Sequence, residues 1–191
     1  MKFKLVEDID TLDKVIDLQK EMDTWDYGVV QDGNKFLYDD NNISKVDWGR
    51  YVTYTINELT DIKLGTCWDF TNYEYYKLRK LGLNPKAYFI MLKKTTGPWT
   101  EKTKDNEIDT HSFVTVNVEN DTYWIESAWW NNRGVHKINS LWDVISRFDE
   151  QYGSDKEFDL YEYDPTGMDG LSMREYSIRA QQKKVLSRNS S

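Results

Sequence analysis

The chain has 191 residues, of which 39% are hydrophobic and 30% are charged. A chain of this length can bury its own core, so we expect residues 1–191 to form a single domain. The 25 basic and 33 acidic residues give a formal charge of −8, which argues against nucleic-acid and anionic-membrane partners because such binding depends on clustered Lys and Arg. One Cys and two His exclude an internal disulfide and a multi-thiolate zinc site. We therefore expect no metal and no cofactor.

The N-terminal part of the chain predicts a helix and then a turn-rich segment. Acidic residues come before any apolar run long enough for a signal peptide or a spanning helix, so we expect a cytoplasmic protein. Apolar residues recur at helical spacing over about residues 8–24 and predict an amphipathic helix. Residues 25–50 contain turn motifs such as 32–34 and predict a small hairpin or an irregular loop.

The middle of the chain predicts a helix followed by strands. Thr66 is a suitable N-cap and Gly82 a suitable C′ residue for a helix that begins at Cys67 and ends near residue 81. β-Branched and aromatic runs then predict three strands, at 86–92, 111–118 and 122–127. We expect residues 119–121 to form a hairpin loop between the last two strands and residues 93–110 to form a polar surface loop.

The remaining elements complete an α+β pattern. We predict a helix at about 140–152, a strand at 157–163 and a C-terminal helix at about 171–183, in which Ser172 and Glu175 have capping-box spacing. One helix followed by an antiparallel meander, with further helices at both ends, is typical of an α+β fold. The catalytic core is expected at about residues 62–163.

Cys67 is the single cysteine of the chain and its candidate nucleophile. Free cysteines are often buried and inert, so a structural thiol is the simpler interpretation. The first turn of a helix favours the other interpretation, because unpaired N–H groups and the helix dipole stabilise a thiolate there. The N–H of Cys67 would be one oxyanion donor. Trp25 and Trp48 are upstream indole donors, and the second oxyanion donor stays unassigned.

His111 and Glu126 complete the groups that thiol acyl transfer requires. His111 begins a predicted strand, and Glu126 lies 126 − 111 = 15 residues later, near the end of the next strand. A hairpin of this length places the two side chains next to each other. In such a triad the thiolate attacks a carbonyl, the imidazole transfers a proton, and the carboxylate orients the imidazole.

Segments around these three residues resemble the transglutaminase-like proteins, a branch of the papain-like cysteine fold. Residues 65–70 and 81–88 resemble the nucleophile helix of that family and its continuation, 110–114 its histidine strand, and 123–127 its acid strand. Residues 124–129 and 133–136 are similar, more narrowly, to a group of uncharacterised bacterial transglutaminase-like proteins. The resemblance extends over about residues 25–163.

The resemblance implies a papain-like fold in which the nucleophile-bearing helix packs on an antiparallel sheet. It implies that Cys67 is the nucleophile, His111 the base and acid, and Glu126 the orienting carboxylate. The wider superfamily more often has Asp at the acid position, where this chain has Glu126.

We expect a protein or peptide substrate to contact Trp68, Trp129, Trp130 and Arg133. The last three follow the acid strand, where their side chains would line a cleft. The alternative is a structural aromatic corner in which the Arg133 guanidinium stacks on an indole.

Two further ionisable residues have open roles. His136 is the rival base, at the start of another predicted strand, and its alternative role is structural, at the sheet edge. Glu74 lies two helical turns after Cys67 and is either a buried, paired carboxylate or an exposed group at the helix edge.

The leading functional hypothesis is a cysteine-nucleophile acyl-transfer enzyme that acts on an amide or peptide bond through a thioester. Peptidase, deamidase and transglutaminase activities all remain open. The second hypothesis is a non-enzymatic module that holds a peptide or glycan in an aromatic cleft. A metal hydrolase using both His residues has little support, because the chain has no HExxH motif, nor is there a calcium-loop signature. The pattern does not indicate an oligomeric state.

Overall fold

The protein combines five helices and nine strands in the part of the chain that the computed structural model describes, residues 4–38, 42–93, 108–152 and 157–188. The helices are α1 (Lys4–Met22), α2 (Ile56–Ile62), α3 (Cys67–Lys80), α4 (Leu141–Tyr152) and α5 (Met173–Ala180). The strands are β1 (Asp26–Gln31), β2 (Asn34–Leu37), β3 (Leu64–Gly65), β4 (Lys86–Lys93), β5 (Ile108–Val118), β6 (Asp121–Glu126), β7 (Gly134–Ile138), β8 (Glu157–Tyr163) and β9 (Lys183–Arg188).

A six-stranded antiparallel sheet forms the centre of the fold. Its strand order is β7-β6-β5-β4-β8-β9, and every neighbouring pair runs antiparallel. A second, three-stranded sheet has the order β2-β1-β3, in which β1 and β3 run parallel. Helices together with antiparallel sheets confirm the α+β class predicted from the sequence.

Helices pack on both faces of the large sheet because its strands alternate between two apolar sets. Val114 and Ile125 face one core cluster, which α1 and α3 supply with Val15, Leu18, Met22, Phe70, Tyr73 and Leu78. Phe113 and Trp124 face the other cluster, which α4 supplies with Val144, Ile145 and Phe148. Burial of both faces fixes the strand register, since a one-residue slip would exchange the two sets.

The start and end of α3 follow the local signals of the sequence. Thr66 is the N-cap residue, and Gly82 lies just after the C-cap with φ of +79°, a conformation that glycine adopts readily. Gly65 meets a different requirement. A Cβ atom there would lie 2.7 Å from Cβ of Asp69, so the chain before Cys67 approaches the helix too closely for a larger residue.

Several predicted elements match the structure. Residues 25–50 contain the β1–β2 hairpin, which turns at Asp32 and Gly33 with positive φ at both. Glu119, also with positive φ, lies in the turn between β5 and β6. The capping box of α5 is formed by Ser172 and Glu175.

Other boundaries differ from the prediction. Helix α1 begins at Lys4 rather than near residue 8, and α5 ends at Ala180 rather than near 183. Strand β5 begins at Ile108, so His111 is its fourth residue and does not begin the strand. The sequence analysis did not predict α2, β3 and β9. The surface loop predicted for residues 93–110 falls mostly on 94–107, which lie outside the described residues.

Among the described residues, no helix combines the length and apolar character needed to cross a bilayer.

Candidate active site

Cys67 is the first residue of α3, and its side chain is 6% exposed. At this position the unpaired N–H groups of the first helical turn lie beside the thiol. The cysteine packs in the cluster that also contains Trp68 and Tyr51. The thiol is therefore held in an apolar wall at the positive end of the helix.

His111 and Glu126 lie next to each other on neighbouring strands. Nε2 of His111 is 2.7 Å from Oε2 of Glu126. His111 is on β5 and Glu126 is the last residue of β6, so the antiparallel pairing of the two strands brings them together. His111 and Glu126 are therefore neighbours, as the sequence predicted from their 15-residue separation.

The second oxygen of Glu126 is also fully engaged. Oε1 accepts hydrogen bonds from the backbone N–H of Ala128 at 2.9 Å and of Trp129 at 2.8 Å. The side chain of Glu126 is 1% exposed, and a buried carboxylate requires such donors. The turn after β6 thus fixes the carboxylate in the orientation that meets His111.

The protonation of His111 is controlled by its two partners. Burial on its own would lower the pKa of His111, but the Glu126 carboxylate and the Cys67 thiol act in the opposite direction and raise the pKa to about 10. The imidazole is hydrogen-bonded to Glu126 and interacts with the thiol of Cys67. Because Nε2 faces Glu126, Nδ1 is the nitrogen left for the thiol. Cys67, His111 and Glu126 therefore form one continuous chain of contacts.

Aromatic rings hold the imidazole of His111 in place. Phe113 lies almost parallel to it at 6.4 Å, Phe148 of α4 is 5.4 Å away, and Trp129 approaches at 6.0 Å with a tilt of 65°. Packing on several sides restricts the rotation of the ring. The orientation that joins the carboxylate to the thiol is therefore fixed by packing as well as by hydrogen bonds.

Asp69 closes the N-terminal turn of α3, in which Cys67 lies. Its carboxylate accepts from the backbone N–H of Thr66 at 2.8 Å, from the Thr66 hydroxyl at 3.0 Å and from the N–H of Tyr54 at 2.8 Å. The Tyr51 hydroxyl also donates to it. Burial raises the pKa of Asp69 to about 6 against the effect of these donors. This cluster fixes where the first turn of α3 begins.

Glu74 is buried, as one of the two interpretations of the sequence expected. Ser127 donates to Oε1 of Glu74 at 2.5 Å, and the same hydroxyl lies 3.2 Å from Oε1 of Gln19 on α1. Burial raises the pKa of Glu74 well above its usual value, and the charge of Glu126 adds to this effect. We call these three side chains, Gln19, Glu74 and Ser127, the buried polar junction.

The four residues expected to contact substrate lie in different environments. Trp68 is 3% exposed and stacks on Tyr176 at 4.9 Å, which does not fit a substrate contact, because its ring is used in the core. Trp129 packs against His111. Trp130 is 66% exposed, and the Arg133 guanidinium lies 4.6 Å from its ring centroid, the geometry of the aromatic-corner alternative.

His136 lies within β7, as the sequence predicted, but it has a structural environment. Its Nε2 is 2.7 Å from the backbone carbonyl oxygen of Asn132. Its ring packs on Trp124 with centroids 4.9 Å apart. The polar contact of His136 is therefore with its own turn, while the contacts that join a thiol to a carboxylate belong to His111.

Tyr27 is a residue of the site that the sequence analysis did not identify. It lies on β1, opposite Gly65 of β3, and its hydroxyl interacts with the side chain and the backbone of Cys67. Burial raises the pKa of Tyr27 well above 10, and the negative charge of the thiol adds to the increase. No local motif marks this residue, because the parallel β1–β3 pairing joins segments almost forty residues apart.

Within residues 4–38, 42–93, 108–152 and 157–188, no group of three or more His, Cys, Asp and Glu side chains is arranged to hold a metal ion. The groups that meet at the candidate site are a thiol, an imidazole, a carboxylate and a phenol. Comparison with known proteins adds no assignment, since no protein-family model and no curated protein matches the chain.

Proposed function

We propose that this protein is a cysteine-nucleophile acyl-transfer enzyme of transglutaminase-like type, acting on an amide or peptide bond through a thioester. The observation that carries the proposal is the contact chain from Cys67 through His111 to Glu126, with 2.7 Å between the imidazole and the carboxylate. These are the groups, in the order of contact, that thiol acyl transfer requires.

The positions of the three residues in the fold support the papain-like interpretation. The nucleophile begins a helix, and the histidine and acid come from adjacent antiparallel strands later in the chain. Helix α3 packs against β5. This arrangement agrees with the resemblance noted in the sequence, in which a nucleophile helix packs on an antiparallel sheet.

In the proposed reaction the thiolate of Cys67 attacks the carbonyl carbon of the amide. The carbonyl π pair moves to oxygen, and the resulting oxyanion lies near the Cys67 N–H at the start of α3. When the carbonyl re-forms, the C–N bond breaks and the leaving amine takes a proton from the His111 imidazolium. A thioester on Cys67 remains.

In the second half of the reaction an acceptor loses its proton to His111 and attacks the thioester. Water as acceptor gives hydrolysis, and an amine gives transamidation. The Glu126 carboxylate orients and stabilises the imidazolium. Its three hydrogen bonds keep the carboxylate in place while the charge on His111 changes.

The first test is the pH dependence of alkylation of Cys67 by iodoacetamide. We expect the wild-type thiol to react as a thiolate at neutral pH, and the His111→Ala and Glu126→Ala variants to require a higher pH for the same rate. The matched control is His136→Gln, which changes the other histidine and retains a hydrogen-bond donor near Asn132. It is expected to alkylate as the wild type does.

A thiol whose alkylation profile does not change in His111→Ala would contradict the proposal and favour the binding module, since its 6% exposure also suits a structural cysteine. If the pair is active, the acceptor is determined with glutamine-containing peptides. Ammonia release without added amine indicates hydrolysis of the side-chain amide. Incorporation of a fluorescent primary amine indicates transamidation, and new peptide termini indicate a peptidase. Cys67→Ala provides the inactive control for all three assays.

A further inference from the structure

Tyr27 is held directly over the first turn of α3. The parallel pairing of β1 with β3 places it opposite Gly65, two residues before Cys67. The edge contacts of its ring are with Tyr38 at 5.9 Å and with Phe70 at 6.2 Å. Phe70 lies about one helical turn after Cys67, so the tyrosine ring spans the turn on which the nucleophile lies.

The Tyr27 hydroxyl lies within interaction distance of both the side chain and the backbone of Cys67. Tyr27 also packs against the core cluster that contains Cys67. The hydroxyl therefore lies near the sulfur and near the first oxyanion donor at the same time.

An oxyanion formed by attack of this sulfur would develop within that same small region. The carbonyl carbon bonds to the sulfur, so its oxygen lies one bond further, within reach of donors that already surround the sulfur. Effective stabilisation needs preorganised donors aimed at that oxygen. The Cys67 N–H is one such donor, and the Tyr27 hydroxyl is a side-chain donor that interacts with the same residue.

We propose that the Tyr27 hydroxyl is the second oxyanion donor, acting together with the backbone N–H of Cys67. The proposal rests on the acyl-transfer function proposed above. In the resting site the hydroxyl lies beside the sulfur. As the C–S bond forms and the π pair moves to oxygen, the O–H rotates toward the oxyanion, and both it and the fixed N–H donate to that oxygen. When the carbonyl re-forms and the leaving group departs, the O–H returns to the sulfur.

The indole donors considered from the sequence are placed differently. Trp25 packs on Phe70 at 6.0 Å and, more closely, on Tyr73 at 4.6 Å, which lies nearly two helical turns after Cys67. Trp48 packs against Tyr51 at 5.8 Å. Tyr27 alone of these three residues has a polar contact with Cys67 among the described contacts.

The raised pKa of Tyr27 also supports the proposal, because the hydroxyl can donate only while it keeps its proton. Burial and the charges of Cys67 and Glu126 keep the pKa of Tyr27 well above its usual value, so the phenol retains its proton when the thiolate forms. A phenol that ionised beside the thiolate could not donate to an oxyanion.

The experiment compares two reactions of the same thiol in the Tyr27→Phe variant. Acylation by p-nitrophenyl acetate forms a tetrahedral oxyanion and is read from the first-turnover release of p-nitrophenolate. Alkylation by iodoacetamide displaces iodide at a saturated carbon and forms no oxyanion. We expect Tyr27→Phe to slow acylation about 100-fold more than it slows alkylation, because alkylation reports only the loss of the hydroxyl beside the sulfur.

Two control variants separate the hydroxyl from other effects. Tyr38→Phe removes the hydroxyl of the ring that neighbours Tyr27 and is expected to acylate as the wild type does. Trp48→Phe removes the rival indole donor. If Trp48→Phe shows the selective loss of acylation and Tyr27→Phe does not, the second donor is Trp48 and the proposal is overturned.

The remaining outcomes distinguish this proposal from the proposed function. Equal slowing of acylation and alkylation in Tyr27→Phe would show that the hydroxyl acts on the thiolate alone, and wild-type rates in both reactions would show that it acts on neither. Either result overturns the role of Tyr27 and leaves the triad intact. A wild-type protein that alkylates but forms no acyl-enzyme overturns the proposed function and the role of Tyr27 with it.

Discussion

Oε2 of Glu126 lies 2.7 Å from Nε2 of His111, while the other oxygen of the same carboxylate accepts two backbone N–H groups from the turn that follows. The arrangement leaves the carboxylate no freedom to rotate without breaking a bond. A Gln side chain at this position could replace only one of the two carboxylate oxygens as an acceptor. If its oxygen accepts from the two N–H groups of the turn, its NH₂ group faces His111.

We therefore expect Glu126→Gln to impair catalysis while preserving the fold. The NH₂ group opposes the tautomer that donates to residue 126, and loss of the charge lowers the pKa of His111 from its value of about 10. Acylation of Cys67 should slow about 10³-fold. An NMR titration of the imidazole follows the pKa, and p-nitrophenolate release follows the rate. Glu74→Gln is the matched control, because it neutralises a neighbouring buried carboxyl that does not bond to His111. Unchanged values in Glu126→Gln would contradict the role of the acid.

The pH dependence of stability gives a second prediction. The pKa of His111 is about 10 in the folded protein, compared with about 6.5 for an unfolded histidine. The imidazolium therefore stabilises the folded state fully below about pH 6.5, and this contribution is lost as the pH rises through about 10. In His111→Gln the contribution is missing, so the difference in unfolding free energy from the wild type should shrink between about pH 7 and pH 10. Urea unfolding at several pH values measures it, and a constant difference would argue against the raised pKa.

Asp69 predicts a pH dependence of stability with the same sign, but at lower pH. Its pKa is about 6 in the folded protein, above the usual value of about 3.9 for an unfolded aspartate. The folded state therefore holds the proton more tightly, and stability is lost as the pH rises from about 4 through 6 and Asp69 ionises. Asp69→Asn does not ionise there, so its unfolding free energy relative to the wild type should increase across that range. Thermal unfolding in buffers of equal ionic strength is the measurement. A relative stability that is flat or falling would contradict the prediction.

A substitution at Gly65 tests the close approach between the backbone before Cys67 and the first turn of α3. The methyl group of Gly65→Ala would lie 2.7 Å from Cβ of Asp69, so the first turn of α3 must shift. We expect a loss of about 2 kcal/mol of unfolding free energy and slower alkylation of Cys67. Gly49→Ala is the matched control, since its methyl group would lie 3.3 Å from its nearest neighbour, a carboxylate oxygen of the flexible Asp47 side chain. If the two variants are equally stable and equally reactive, the close approach at Gly65 has no structural role.

The parts of the fold that local signals determine were predictable. Thr66 and Gly82 mark the two ends of α3, because capping depends on residues within one turn of the helix end. The juxtaposition of His111 and Glu126 followed from a short hairpin, in which register depends on a turn of few residues. These local rules were sufficient to bring the histidine and the acid together.

The missed features depend on contacts distant in sequence. The β1–β3 pair has only two registered positions, Asp26 with Leu64 and Tyr27 with Gly65, so neither segment has enough residues to show a periodic pattern. Strand β9 begins with Lys183 and Lys184, which are exposed, and an edge strand with charged residues has a weak apolar signal. Tyr27 was overlooked for the same reason, because its role follows from the non-local pairing. Burial of Trp68 likewise depends on Tyr176, which lies on α5.

The buried polar junction links the first helix of the chain to the Glu126 carboxylate. Gln19 of α1 contacts Ser127, Ser127 bonds to Glu74 of α3, and Ser127 directly follows Glu126 in the chain. If α1 opened locally, water would reach a hydroxyl one residue from the acid, and the raised pKa of Glu74 would lose its cause. We therefore expect the opening of α1 and the loss of the geometry around Glu126 to occur together, in a single opening reaction. Hydrogen exchange should then give the amides of α1 and those at the end of β6 the same opening free energy.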